Sequence, residues 1–142
     1  MKKKAKVLVF GTFDIVHAGH IHMFEQAKEY AHHLTVCVGR DSNVEKIKGN
    51  DPLHTEQERV KFLTYISVID EVRMGYLHDP YKIIGEIKPN IIALGYDQKV
   101  YVDKLADAIT DMGLSIQIVR LVSYKSDKFK GRKIKKYLER FI

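Results

Sequence analysis

Short apolar runs alternate along the chain with longer segments in which apolar residues return every three or four positions. "KVLVF" (Lys6–Phe10), "LTVCV" (Leu34–Val38), "NIIAL" (Asn90–Leu94) and "SIQIV" (Ser115–Val119) have the length and β-branched content of buried strands, and "EVRM" (Glu71–Met74) reads as a shorter one. Between the first two, Gly19–Ala31 sets Ile21, Phe24, Ala27 and Ala31 at helical spacing. A polar stretch from Gly39 to His54 reads as a loop. Thr55 with Glu58 three residues on forms a capping box that opens a helix whose Val60, Leu63 and Ile66 face inward. Asp79 and Pro80 read as N-cap and first position of a helix through "PYKIIGEI", and a helix over Tyr101–Met112 stops at Gly113, a left-handed cap. A basic amphipathic helix lies within residues 131–141. Buried strands separated by helices at this spacing predict a parallel sheet covered on both faces, a doubly wound Rossmann-like α/β fold in one domain over residues 1–142. Such folds bind ligands beyond the carboxyl ends of their strands.

Composition narrows the setting. The 142 residues suit a single domain, and the apolar runs are strand-length, too short to span a bilayer. The basic start is interrupted by Gly11 and Asp14 before any signal-peptide core develops, so it reads as the approach to a strand. Cys37 is the single cysteine; one chain has no intramolecular disulfide and no thiolate zinc site, a reducing cytoplasm fits, and the thiol within "LTVCV" reads as buried structure. The net charge of +6 is divided unevenly: +4 over Met1–Lys6, +6 over Lys125–Ile142 and −4 between. Basic ends on an acidic body suit a nucleic-acid surface, an anionic small-molecule site or a solvated face.

The loop after the first strand, "GTFDIVHAGH" (Gly11–His20), falls where the fold predicts a ligand crevice. His17 and His20 are three apart and point to one side once the helix begins, Gly19 lets backbone approach a ligand, and the helix N-terminus offers polarised amides. This constellation predicts a phosphate site. A metal site would need a third ligand such as His22, which lies about 200° round the helix from His20. A nucleophilic histidine has no carboxylate orienter in the sequence, and a purely structural role at the helix start is the remaining alternative.

"GTFDIVHAGH" resembles the GTFDxxHxGH signature of nucleotidyltransferases related to glycerol-3-phosphate cytidylyltransferase, and "EKIKG" (Glu45–Gly49), "EQERV" (Glu56–Val60) and "ALGYDQ" (Ala93–Gln98) extend the likeness over Val7–Arg120. Within that family, "GRDSNVEKIKG" and "LGYDQ" are most similar to small archaeal FAD synthases, which transfer AMP from ATP to FMN; the cytidylyltransferase pattern has an acidic residue where Tyr96 stands. The resemblance implies catalytic roles for His17 and His20, and nucleotide binding by Thr12, Phe13, His17, Ala18, Gly19, His20, Asp97 and Tyr124. Lys48 and Arg59 lie in segments that bring cations or hydrogen bonds to phosphates in related enzymes, with a solvated lysine and an exposed helical arginine as the alternatives. The chain departs from the pattern near its end, where "KFKGRKIKKY" replaces a Ser/Thr-containing phosphate segment; Lys130, Arg132 and Lys133 are the expected substitutes.

The implied chemistry is direct in-line attack of the FMN phosphate on the α-phosphorus of ATP, with His17 and His20 as fixed cationic donors and magnesium or a similar divalent ion carried by ATP. Homodimerisation is a further implication of the family. Cytidylyl transfer from CTP to glycerol 3-phosphate is the enzymatic rival. A nucleic-acid-binding role for the basic ends is the rival of another class, without the aromatic-basic stacking pattern such binding uses. Tyr76, Tyr81 and Tyr101 stand as candidates for contact with a flavin, and the sequence does not choose among them.

Overall fold

The computed structural model describes residues 5–125 and 131–141. Its elements run β1 (Lys6–Gly11), α1 (Ala18–Tyr30), β2 (His33–Val38), α2 (Asp41–Lys48), α3 (Glu56–Thr64), β3 (Glu71–Met74), α4 (Lys82–Ile87), β4 (Ile91–Leu94), α5 (Leu105–Asp111), β5 (Gln117–Arg120) and α6 (Gly131–Leu138), with a 3₁₀ turn over Glu139–Phe141. The strands form a parallel sheet in the order β3-β2-β1-β4-β5. The chain moves outward from β1 through β2 to β3, then crosses back to β4 and β5. The switch point therefore lies at the carboxyl end of β1, where such sheets open a ligand crevice.

Side chains of β1 alternate between two apolar layers. Val7 and Val9 pack with Phe24 and Ala27 of α1 and Leu63 of α3, whereas Leu8 and Phe10 face Ile83, Ile84 and Ile87 of α4 and Leu105 and Ile109 of α5. Both faces of the sheet are covered, which explains why its central strands are apolar throughout rather than alternating. The predicted fold class is the one observed. Cys37 is buried in the α4/α5 layer, and burial pushes its thiol up to about 12, as expected of an inert structural cysteine.

Three boundaries differ from expectation for local reasons. Residues 41–48 form a helix rather than a loop, ended by Gly49 in a left-handed conformation at φ 78°. The helix expected from Tyr101 begins at Leu105, because Tyr101 is itself left-handed at φ 64° and residues 100–104 turn. Asp79 does not cap α4: its carboxylate accepts from the Tyr81 amide across a turn, and the helix starts at Lys82. Gly113 takes the expected left-handed cap at φ 70°.

Candidate active site

The crevice is a broad open cleft of about 1240 Å³ over the carboxyl ends of the strands. That exceeds the usual volume for one small ligand, so two substrates have room to meet.

Its centre is the β1–α1 loop. Phe13 is buried at φ 53°, a left-handed conformation, and folds its ring back over Gly11, where a Cβ would lie 2.5 Å from the ring. Only glycine fits there. The same ring meets His20 edge-on at 5.4 Å and packs on Phe24 at 5.3 Å. Phe13 thus supports the histidine from within the core.

His17 is the N-cap of α1, and its Nδ1 accepts from the Gly19 amide at 3.1 Å. His20 reaches back, its Nδ1 accepting from the His17 amide at 3.2 Å, which closes a reciprocal capping box built from two imidazoles. The rings lie 4.0 Å apart. An Nδ1 that accepts carries no proton, so the ring N–H of each neutral imidazole is on Nε2, the side away from these capping bonds. Burial lowers the pKa of His20 to about 4, with the charges of His17 and Lys48 adding to it and Asp97 opposing; burial also lowers that of His17. In the free protein both rings are therefore held toward the neutral form as oriented Nε2–H donors, the resting state that the sequence left open.

The expectation for Arg59 is corrected. It is 1% exposed rather than solvated, and its guanidinium donates to Thr12 O at 2.8 Å, His54 O at 3.2 Å and the Asp41 carboxylate at 2.6 Å. Committed to these partners, it does not face the cleft. It braces the loop from behind: Asp41 and Glu56 exchange backbone-to-carboxylate bonds, Glu56 holds Arg40, and Arg40 donates to Gly75 O. Asp14 completes the brace by accepting from the Leu53 and His54 amides. Burial opposes its charge, but those amides together with Lys135 and His54 outweigh the penalty and hold the carboxyl below its usual value.

Of the other expected residues, Thr12, Gly19, Asp97, Tyr124, Lys48 and Arg132 line the cleft; Ala18 and Lys133 do not. Lys130 lies outside the described residues. Asp97 sits in a turn pinned by Arg120, which donates to Gly95 O and Gln98 O. His22 has turned away from His17 and His20, as its helical position predicts. Its Nδ1 pairs with Gln26 and its ring lies against Tyr124 at 4.8 Å, while Gln26 bonds both backbone groups of Val122. That face of α1 supports the segment carrying Tyr124. Arg40, Lys135 and Lys136 also line the cleft and were not anticipated. Lys135 and Lys136 follow Arg132 by three and four residues, a spacing that already puts them on its helical face; nothing local marked Arg40. Among the described residues, no three His, Cys, Asp or Glu side chains converge as a metal-binding group.

The cytidylyltransferase-like family model matches residues 8–137. The chain belongs to that family. It is 38% identical over 146 aligned positions to the FAD synthase of Thermococcus sibiricus, covering 99% of this chain and 97% of the relative, and 34% identical to the FAD synthase of Thermoplasma volcanium, covering 96% of each. A solved structure described as a lipopolysaccharide core biosynthesis protein from Thermoplasma volcanium GSS1 superposes with a TM-score of 0.80 at 36% identity, over 85% of this chain and 98% of that one. A pantoate-beta-alanine ligase from Francisella tularensis, 14% identical with a TM-score of 0.61 over 98% of this chain and 70% of that one, shares the fold.

Proposed function

We propose that this protein transfers AMP from ATP to FMN, giving FAD and pyrophosphate. The observation that carries the reading is similarity at 33–41% identity, over most of the chain, to proteins named FAD synthase, in a chain whose HxGH loop lies at the switch-point cleft.

The FMN phosphate attacks the α-phosphorus in line, one P–O bond forms as the bond to pyrophosphate breaks, and no covalent enzyme intermediate intervenes. Both substrates are anionic, and charge grows on the transferring and leaving oxygens. The Nε2–H groups of His17 and His20, held by the capping box, meet that charge without reorganising as it develops. Leaving the imidazoles neutral in the free enzyme costs the fold no buried cation, and the arriving phosphates draw their pKa values upward. Asp97 accepts from ribose hydroxyl or base amine groups, Tyr124 lies beside the nucleoside, and Lys48 at the end of α2 meets a substrate phosphate. Arg132 with Lys135 and Lys136 supplies charge to the triphosphate, the role given to Lys130, Arg132 and Lys133 from the sequence. A divalent ion such as magnesium, carried by ATP, would be held mostly by phosphate and water and would neutralise part of the phosphate charge.

The test is substrate choice. Purified protein is incubated with magnesium and each pairing of ATP or CTP with FMN or glycerol 3-phosphate, followed by pyrophosphate release and product mass. FAD formed from ATP and FMN supports the proposal; turnover confined to CTP and glycerol 3-phosphate overturns it. Inertness with all pairings, together with tight and steeply salt-dependent RNA or DNA binding, would favour the nucleic-acid role instead.

A further inference from the structure

The cleft has two unlike ends. Around the histidines and the loops after β4 and β5 it mixes polar groups, Asp97 and the backbone-rich turn over Gly95–Gln98, with the rings of Tyr96 and Tyr124. Toward the α4/α5 layer it is aromatic: Tyr76, Tyr81 and Tyr101 all line it, with Val102 and Leu105 alongside. Three tyrosines gathered at one wall of the cleft, beside Val102 and Leu105, are more than phosphate chemistry requires.

The wall is built rather than incidental. Tyr81 and Tyr101 come from the loops preceding α4 and α5, and their rings meet edge to face at 6.3 Å. The Tyr81 hydroxyl donates to Tyr101 O at 2.7 Å and ties the two loops together. Tyr101 is held at φ 64°, where a bulky residue is disfavoured and glycine or asparagine is usual, yet the residue remains 44% exposed. Strain of this kind is kept where surrounding structure and function hold it. Tyr76 is fixed at both ends: Asn43 donates to its carbonyl and its hydroxyl bonds Glu86, while Lys82 covers its ring at 4.5 Å. Of the three, Tyr101 is the exposed one, and an exposed aromatic residue on a rigid support is a platform for planar, π-rich ligands.

Resting on the proposed transfer of AMP to FMN, we propose that this wall receives the acceptor's tricyclic ring, with Tyr101 as the principal stacking platform and Tyr81 as the residue that positions it. The geometry of the acceptor agrees. The ribityl chain of FMN holds the ring well away from its phosphate. With the phosphate at the histidines the ring cannot lie beside them and must reach across the cleft. The end with Asp97 then keeps the nucleoside of ATP.

Tyr101→Gly is the decisive variant, because it removes the ring while relieving the left-handed backbone, so folding is not the casualty. Tyr101→Phe keeps the ring as the control. For wild type and both variants, KM for FMN, KM for ATP and kcat are measured, together with quenching of flavin emission on titration without ATP, since a phenol in van der Waals contact quenches it. The proposal expects Tyr101→Gly to raise the FMN KM about 5- to 100-fold, the range that aromatic stacking supplies. It also expects weaker quenching, an unchanged ATP KM, and near-complete recovery of FMN binding in Tyr101→Phe. An unchanged FMN KM in Tyr101→Gly, with wild-type quenching, overturns the wall while leaving the reaction standing. A rise in the ATP KM instead assigns the wall to adenine and overturns it equally. A wild-type protein that makes no FAD overturns both readings.

Discussion

Two segments bring positive potential to the same cleft, and they do so by opposite means. The β1–α1 loop carries no net cation at neutral pH: its donors are backbone amides and two neutral imidazoles, each locked by a capping bond and backed by the buried Arg59. Helix α6 carries full charges on Arg132, Lys135 and Lys136, but every residue from Arg132 to Phe141 except Ile134 is exposed. The loop is preorganised, and α6 is a charged surface set beside it. Fixed dipoles act on the short-lived charge of a transition state, where reorganisation is costly. Solvated cations attract a polyanion in the ground state and are screened by salt. The difference predicts which variants damage kcat and which damage KM.

The largest effect falls on what holds the loop. Arg59→Met removes the guanidinium but leaves Thr12 O, His54 O and the Asp41 carboxylate facing its place. Asp41, 37% exposed, is partly rehydrated, but each part-buried carbonyl left without its donor costs about 1–3 kcal/mol. Urea denaturation of wild type and variant measures the loss, and one below about 1 kcal/mol would mean that the loop holds its shape without the brace.

Next come the imidazoles. Replacing either by alanine also removes a cap acceptor, at about 1 kcal/mol of stability, so function and fold would be mixed. His17→Asn keeps an N-cap acceptor and His20→Gln keeps a side chain able to reach the His17 amide. Each is expected to lower kcat by about 10²- to 10³-fold with little change in Tm. Pyrophosphate release and a thermal melt on the same preparation check the pair; retained kcat would show that the capping role is the whole role.

The neutral state of His20 has its own signature. The unfolded chain takes up a proton on this residue near pH 6.5, whereas the folded one resists until about 4. Protonation therefore favours the unfolded state: stability is complete above about 6.5 and is lost as pH falls toward 4, by about 3 kcal/mol at most. His17 acts in the same direction. Carboxylates held below their usual values, Asp70 among them, add their losses only below about pH 4. Urea midpoints between pH 7 and 4.5 should fall in wild type and fall less in His20→Gln.

The fold was legible because the strands are buried on both faces and so stand out as apolar runs, and because β3 and the Thr55–Glu58 cap are local signals. The site was legible in outline because the HxGH histidines follow β1 directly. What escaped was set by distance along the chain. Helix α2 buries only Val44 and has no side-chain N-cap bond, so it shows no stripe; it is held by Glu56, fifteen residues on. Arg59 reads as an exposed residue until its partner at Thr12, forty-seven residues earlier, is known. The charge state of the histidines escaped for the same reason. Helical spacing told that His17 and His20 share a face, but not that each Nδ1 accepts an amide.

The smallest effects belong to α6, and they complete the contrast. In the proposed reaction its basic residues would act on ATP through water-exposed attraction, for which single charges are worth about 1 kcal/mol or less. Arg132→Gln, Lys135→Gln and Lys136→Gln should each raise the ATP KM by a few-fold, about 2- to 5-fold, and leave kcat near wild type. Added salt should shrink that difference, because screening already weakens the attraction in the wild type. Lys135 tests the boundary between the two segments, since its charge also helps hold Asp14 ionised and Asp14 anchors the loop to residues 53 and 54. If Lys135→Gln lowered kcat as well as raising KM, and salt failed to erase the kcat effect, α6 would belong to the preorganised part of the site. If all three variants behaved alike and salt abolished their differences, charge on α6 would serve capture alone and leave transition-state stabilisation to the β1–α1 loop.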